Sequence, residues 1–427
     1  MTARFDFLLP ALGALGFFVF GVLYVVWPAS YFSLLPFWME TPGPHPFVDY
    51  EAVAEAVVCW AKGIDVYVTN PCDFMDRVHA YSPVWLRLTF LPAGAGWNDA
   101  MGLCIGFGFL VSLGFVPRPI RGWGRTLTLS TAFSGVTVYA LERANVDLLM
   151  FALVVCAGLA LARGPLYRIA GYAAILLCAI LKFYPAVLIA LVWRERLKAA
   201  LLAGSLASMA LVGFYLTYPV EIGRAMENIP QMSIFFDEWG ARILPMGLAL
   251  HFASEDQIRL RTSILVFSAA FLLWWALVMG FAIREAVPRA MAVLPERARM
   301  FLLIGSLLVC GCFFAGASVS YRGIFLLFVL PACLFMGRSS VLFRCTSGAI
   351  LAVMWAHPVR WIVAAVAGGA AYPEDGSPSA FAVWFVNELA WWWIVPVLLT
   401  VTVRFLLDSP ATQALFGRAI VAPEGAA

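Results

Sequence analysis

The sequence predicts an all-α membrane protein, a polytopic transmembrane helical bundle of about twelve apolar segments. Hydrophobic residues make up 63% of the 427 residues and charged residues only 12%. Soluble domains carry about twice that charged fraction. The mean hydropathy is +0.89, and many apolar runs reach the length of about 20 residues that a helix needs to cross a bilayer.

The first crossing is predicted at 7–27, where the apolar run is too long for a cleaved signal peptide. The later apolar segments are predicted at 97–116, 126–140, 146–162, 169–181, 186–193, 199–218, 264–283, 301–317, 323–336, 346–366 and 384–403. Together with the loops they form one domain, 1–408, followed by a short tail at 409–427.

Charge asymmetry predicts the orientation. Five basic clusters fall on the side that holds the N-terminus, at 118–125, 163–168, 194–198, 284–299 and 338–344. Because cytoplasmic loops carry the excess of Lys and Arg, both termini are predicted to be cytoplasmic, in the plasma (inner) membrane. The extracytoplasmic side receives a first loop at 28–82 and a second at 219–261. The net charge of +3 gives no indication of a nucleic-acid partner, and we expect none.

The first extracytoplasmic loop is predicted to contain an amphipathic interfacial helix at 48–62. At about 100° per residue, one face collects Glu51, Glu55 and Lys62. The other collects Val53, Val57 and Trp60, and Asp49 projects with them. Such a helix is predicted to lie flat on the membrane surface with its apolar side down.

Asp49 is the carboxylate turned inward at the start of that helix, where the macrodipole favours its ionised form. This is the position in which a general base for lipid-linked chemistry is expected. The alternative is an aspartate that only caps the helix N-terminus.

Three polar breaks between paired short helices place cations at the same outward side. These breaks are Glu142-Arg143-Ala144-Asn145-Val146-Asp147, Leu181-Lys182-Phe183-Tyr184-Pro185 and Ser320-Tyr321-Arg322. Ionisable residues at membrane depth are costly and suggest function. Arg143, Lys182 and Arg322 are therefore predicted to bind a lipid phosphate or pyrophosphate. The alternatives are cations that only snorkel to the membrane interface and helix-pair salt bridges, for example Arg143 with Asp147.

Cys59 and Cys72 both lie in the first loop, where an oxidising periplasm could join them. Neither a CxxC pair nor a His cluster is present in the sequence, so we expect no metal and no cofactor. Of the four histidines, only His45 and His79 share a loop.

The sequence resembles the polyprenyl-phosphate-sugar-dependent glycosyltransferases of the C-type (GT-C) superfamily, closest to the family 87 mannosyltransferase-like proteins. Three motifs carry the resemblance: Phe47-Val48-Asp49-Tyr50-Glu51-Ala52, Lys62-Gly63-Ile64-Asp65-Val66-Tyr67 and Tyr81-Ser82-Pro83-Val84. The order of the later breaks also agrees. Family members often show Gly-Gln-x-Asn at the first break, and here only Asn145 matches.

The resemblance implies that Asp49 is the catalytic base and that the donor is a polyprenyl-phosphate sugar, mannose-like or a pentose. The acceptor would be a lipid or glycan, and membrane lipids would surround the protein. Besides the base and the three cations, we expect seven substrate-binding residues: Tyr50, Glu51, His79, Tyr81, Asn145, Tyr184 and Tyr321.

Two other functions remain open at this stage. A polysaccharide polymerase or ligase would also use outward cations, to hold a lipid diphosphate. A transporter or flippase for a lipid-linked sugar would place its ionisable residues near the bilayer midplane, whereas here they cluster at one rim.

Overall fold

Helices follow one another through nearly the whole chain, because few polar stretches interrupt its apolar runs. A computed structural model describes residues 5–39, 42–119, 122–230, 232–252, 257–275, 280–369 and 377–416. Part of the basic cluster at 118–125 and most of the tail at 409–427 lie outside these ranges.

The described α-helices range in length from 6 to 31 residues. In chain order they are α1 Leu8–Val26, α2 Pro28–Trp38, α3 Val48–Ala61, α4 Ala95–Leu113, α5 Trp123–Thr131, α6 Gly135–Glu142, α7 Val146–Leu161, α8 Pro165–Leu181, α9 Leu197–Thr217, α10 Pro219–Glu227, α11 Ile243–Phe252, α12 Gln257–Trp274, α13 Gly280–Ala292, α14 Glu296–Ala315, α15 Leu326–Met336, α16 Val341–Met354, α17 Ala356–Ala367, α18 Pro378–Asp408 and α19 Pro410–Leu415. Within the described ranges, 3-10 helices cover Trp85–Arg87, Tyr184–Arg194 and Ser320–Phe325.

The described residues contain five helices that are long and apolar enough to cross a membrane, namely α1, α4, α9, α14 and α18. Two bent pairs raise the number to seven if each pair counts as one span: α5 and α6 with α7, bent by 119°, and α16 with α17, bent by 69°. The all-α class is confirmed, whereas a count of about twelve spans is not.

Some predicted segments have a different structure from the one expected. The segment at 346–366 breaks between α16 and α17, where Pro358 lacks the N–H that a continuous helix would bond. The second loop, predicted at 219–261, contains α10, α11 and the start of α12. The tail after Asp408 begins with α19, which packs against α9.

The core lies around α14, which packs against α7, α15 and α18. Aromatic stacking also joins two of these partner helices, because the Phe151 ring on α7 lies 4.1 Å from the Phe328 ring on α15, centroid to centroid. The only strands in the described ranges form a two-residue antiparallel pair, β1 Glu238–Trp239 with β2 Ser318–Val319. This pair ties the second loop to the segment that carries Arg322.

Helix α3 is not a surface helix, which corrects the prediction for the first loop. Its burial extends around most of its circumference, and Glu51, predicted to face solvent, is only 8% exposed. A charged residue is costly to bury without a partner. Here His45 supplies one, with its Nε2 3.1 Å from Glu51 Oε2. Periodicity alone assigned Glu51 to water because it cannot detect that partner.

Cys59 and Cys72 form a disulfide with their Cα atoms 5.8 Å apart, and it connects the end of α3 to the rest of the first loop. Replacing both by Ser should destabilise this loop by about 3 kcal/mol, the typical value for a loop of roughly 15 residues. The thermal midpoint of the purified protein measures the effect. Reductant should lower the thermal midpoint of the unmodified protein by the same amount as the double substitution does. It should leave the midpoint of the double variant unchanged. No effect of reductant on either protein would contradict the bond.

Candidate functional site

A cavity of about 460 Å³ lies where the first loop meets all three polar breaks; we call it the Asp49 cavity. Its lining includes seven of the residues singled out in the sequence: Asp49, Tyr81, Arg143, Lys182, Tyr184, Tyr321 and Arg322. Segments far apart in the chain therefore converge on one space. In particular, the structure places Lys182 and Arg322 in the same cavity.

Asp49 does not act as a helix cap. Its carboxylate lies in the first turn of α3, where Phe47 is the N-cap residue. The free N–H groups at the start of a helix need acceptors, and the end of α6 provides them. The Phe47 N–H donates to Glu142 O (2.7 Å) and the Asp49 N–H to Arg143 O (3.0 Å). The carboxylate of Asp49 is thus available for side-chain partners.

Two residues from the first polar break hold this carboxylate. Arg143 donates through Nη2 and Nε to Asp49 Oδ1, at 2.7 and 2.9 Å. Asn145 donates through Nδ2 to Oδ2, at 2.6 Å. The alternative pairing of Arg143 with Asp147 is therefore not the one that forms. Arg143 follows α6 and Asp147 lies in α7, and the chain bends by 119° between these helices. Arg143 therefore contacts Asp49 of the first loop instead.

Arg77 is a further cation of the cavity that the sequence analysis did not select. Its Nη1 lies 3.6 Å from Asp49 Oδ1, and its Nη2 donates to Asp73 Oδ1 (2.6 Å) and to Val48 O (2.6 Å). One feature of the sequence could have identified Arg77 as a site residue: it is one of only two Lys or Arg residues in an otherwise acidic stretch at 40–80.

The pKa of Asp49 follows from these contacts. Burial raises the pKa, but the charge of Arg143, the hydrogen bonds from Arg143 and Asn145, and the charge of Arg77 together outweigh burial. The pKa of this carboxyl therefore lies below its ordinary value, so that Asp49 is ionised at neutral pH.

Asp147 organises the opposite wall and was also missed as a site residue. It is fully buried, with Lys182 Nζ 2.9 Å from its Oδ1 and Arg322 Nε 3.5 Å from its Oδ2. Tyr184 donates its hydroxyl hydrogen to Oδ1 at 2.6 Å. One carboxylate thus holds two cations and a tyrosine in place at the cavity.

Breaks in the helices place these cations. Helix α8 ends at Leu181, whose carbonyl accepts a hydrogen bond from the Trp85 indole (3.1 Å), and Lys182 follows. Arg322 lies in the 3-10 helix after β2, and its Nη1 donates to Ser318 Oγ at 3.2 Å. Aromatic faces support both cations, because Tyr81 lies 5.2 Å from Lys182 and Tyr184 lies 5.3 Å from Arg322.

Asn145 links the two halves of the site. While its amide nitrogen donates to Asp49, its Oδ1 accepts from Lys182 Nζ at 3.2 Å. The same oxygen caps α7 by accepting the Asp147 N–H at 2.9 Å. Asn145 is completely buried and lies behind the cavity wall. Its position fits a role in orientation rather than in direct contact with a ligand.

Among the residues that the structure describes, the charged side chains in the cavity lining are four cations, Arg77, Arg143, Lys182 and Arg322, against one carboxylate, Asp49. Asp73, paired with Arg77, and Asp147 lie outside the lining and offset part of this charge. The surplus favours an anionic ligand, and arginine and lysine together suit a phosphate.

Besides Asn145, three predicted substrate-binding residues lie outside the lining. Tyr50 donates its hydroxyl hydrogen to Pro92 O at 2.8 Å, and Glu51 pairs with His45. His79 is buried against the rings of Tyr67 and Tyr81. These three side chains pack within the protein and do not face the cavity. The sequence could not show this, because a short motif does not reveal which of its members faces a cavity.

His79 gives a pH-dependent stability. Burial lowers its pKa to about 4, below the value of about 6.5 expected in an unfolded chain. The unfolded state therefore binds more protons, and stability present above pH 6.5 should decline as the pH falls toward 4. Thermal midpoints across this range should show a steeper decline for the unmodified protein than for His79→Phe. Parallel curves for the two proteins would exclude a contribution from His79.

Comparisons of the chain with known protein families, with curated proteins and with solved structures give no significant match.

Proposed function

We propose that the protein is a membrane glycosyltransferase of the GT-C type. It would move a mannose-like sugar or a pentose from a polyprenyl-phosphate donor to a hydroxyl group of a lipid or glycan acceptor. The observation that supports this proposal best is the single cavity that combines an ionised carboxylate, Asp49, with four cations. Glycosyl transfer needs both a proton acceptor and a site for the phosphate leaving group.

In the proposed reaction, the acceptor oxygen attacks the anomeric carbon from the face opposite the phosphate. The bond from that carbon to the phosphate oxygen breaks, and its electron pair remains on the leaving polyprenyl phosphate. Asp49 takes the proton of the acceptor hydroxyl. A single displacement inverts the anomeric centre.

The lowered pKa of Asp49 restricts when the proton moves. A carboxylate held by Arg143 is a weak base toward a free alcohol. The acceptor oxygen becomes far more acidic once its bond to the anomeric carbon has largely formed. The proton should therefore transfer late, and the carboxylate orients the hydroxyl group until then.

The phosphate is assigned to Lys182 and Arg322. Arg143, which holds Asp49, lines the same cavity. Lys182 and Arg322 already share Asp147, so that they are held in place before the donor arrives. Such preorganisation lowers the cost of stabilising the charge that develops on the leaving group.

We expect the cavity to be extracytoplasmic. Val68, an exposed residue of the first loop, and Lys198, an exposed residue of a basic cluster, provide a matched pair of positions. In intact cells an impermeant maleimide should label Val68→Cys and should label Lys198→Cys only after permeabilisation. The reverse pattern would place the basic clusters outside and contradict the orientation.

The activity itself is testable in isolated membranes that contain the protein. Radiolabelled polyprenyl-phosphate mannose and a polyprenyl-phosphate pentose serve as donors, and lipid and glycan fractions are analysed for label. Transfer that requires the protein and is lost in Asp49→Asn is the expected result. Absence of transfer from both donors, with the purified protein still folded, would contradict the proposal.

A further inference from the structure

A second cavity, of about 260 Å³, uses the same contact between α3 and α6 that shapes the Asp49 cavity. Phe47 and Glu142 line the second cavity, whereas Asp49 and Arg143 line the first. In the part of the chain that the structure describes, the two cavities have no lining residue in common. The hydrogen-bonded backbone of 47–49 and 142–143 thus belongs to the wall between them.

The second cavity continues into an apolar groove between α1 and α4, since Phe17, Gly21, Val25 and Leu103 line both. None of the described residues that line this groove is charged. Both helices are candidate membrane spans, so the groove would open toward the hydrocarbon of the bilayer. A flexible lipid chain matches this surface in shape and polarity.

The second cavity also contains a buried polar side chain, that of Glu142, which does not line the groove. Glu142 is 6% exposed, and its Oε1 accepts a weak hydrogen bond from the Tyr31 hydroxyl at 3.4 Å. Among the residues that the structure describes, none offers a hydrogen-bond partner to Oε2. An unsatisfied buried acceptor is unfavourable, so a ligand that donates a hydrogen bond would be favoured here.

Charge narrows the choice of ligand. The acidic residues in the lining are Glu142 and Asp99, and among the residues that the structure describes no Lys or Arg lines this cavity. A phosphate head group would therefore find no basic partner, and an ammonium group would have to lose its hydration in apolar surroundings. A hydroxyl group meets neither obstacle and can donate to Glu142.

We propose that this cavity binds a long-chain alcohol lipid, with the hydroxyl group on Glu142 and the chain in the groove between α1 and α4. The site is separate from the Asp49 cavity and does not depend on the glycosyltransferase activity. It gives the protein a second, uncharged lipid ligand beside the phosphate-bearing one.

Photolabelling of the full-length protein in lipid nanodiscs tests the head group. The probe is a long-chain alcohol with a diazirine in its chain, and labelled peptides are located by mass spectrometry. Peptides from α1 and α4 should carry about five times more label from the alcohol than from its methyl ether or its amine analogue. Equal labelling by the ether, or stronger labelling by the amine, would overturn the proposal.

Two variants test whether the alcohol binds in this cavity and groove. In Gly21→Leu the new side chain enters open space, since no atom lies within 4 Å of an added Cβ, and it should block the groove. Glu142→Leu removes the acceptor, and it is combined with Tyr31→Phe so that the Tyr31 hydroxyl is not left buried without its partner. Both should reduce alcohol labelling by about fivefold. Gly108→Leu is the matched control, because Gly108 is also open on α4 but lines neither cavity. Labelling that persists in the variant that combines Glu142→Leu with Tyr31→Phe, or that falls equally in Gly108→Leu, would overturn the site.

Discussion

Asp49→Asn is expected to reduce sugar transfer by about two to four orders of magnitude, the usual contribution of a general base. Asparagine keeps the shape of the side chain and an oxygen that can accept from Arg143 or Asn145, but it cannot take the proton. Initial transfer rates at saturating donor measure the effect. Donor affinity should change little, because the phosphate is assigned to Lys182 and Arg322.

Glu51→Gln is the matched control, because Glu51 lies on the same helix and is also buried, yet it pairs with His45 outside the cavity. Its transfer rate should remain near that of the unmodified protein. A second outcome separates catalysis from structure. If Asp49 only holds Arg143, then Asp49→Asn should weaken donor binding while turnover of bound donor stays normal, which would remove the assigned base.

Lys182→Ala and Arg322→Ala are each expected to weaken donor binding by about ten- to a hundredfold. A charge-assisted hydrogen bond to phosphate contributes roughly 1.5–3 kcal/mol. Binding of a polyprenyl phosphate to the purified protein measures the loss directly. Arg322→Lys should give an intermediate value, because it keeps the charge but loses the planar pair of donors.

Arg224→Ala provides the control for these cation variants. Arg224 pairs with Asp65 at 2.8 Å, and it does not line the Asp49 cavity. Its donor affinity should be normal. A loss as large as that of Arg322→Ala would show that binding depends on overall charge and not on the cavity. Thermal midpoints of all variants must be measured too, since Asp147 loses a partner in both cation variants.

The sequence predicted the elements of the site better than their pairing. A helix starting at Val48 and polar breaks near residues 143, 182 and 321 follow from periodicity, flanking charge and length. The convergence of these breaks follows from the one-sided distribution of their cations. Local rules of this kind do not depend on how distant helices pack.

The partners of the charges could not be predicted, because they depend on that packing. Arg143 had Asp147 four residues away as a candidate, but it contacts Asp49, 94 residues distant. Asp147 in turn contacts Lys182 and Arg322. The predicted count of about twelve spans is not confirmed, and the reason is similar: among the described residues, only five to seven spans are long and apolar enough to cross a membrane. An apolar run indicates burial equally well when a helix ends inside the bundle and when it crosses the bilayer.

The hydrogen bonds between the start of α3 and the end of α6 have a consequence for biosynthesis. The first loop emerges from the ribosome long before α6, yet the N–H groups of Phe47 and Asp49 find their acceptors only on Glu142 and Arg143. Until then this loop depends on water for those bonds, while the Cys59–Cys72 bond needs only residues already made. An oxidised but incompletely docked first loop should therefore precede the assembled cavity during synthesis.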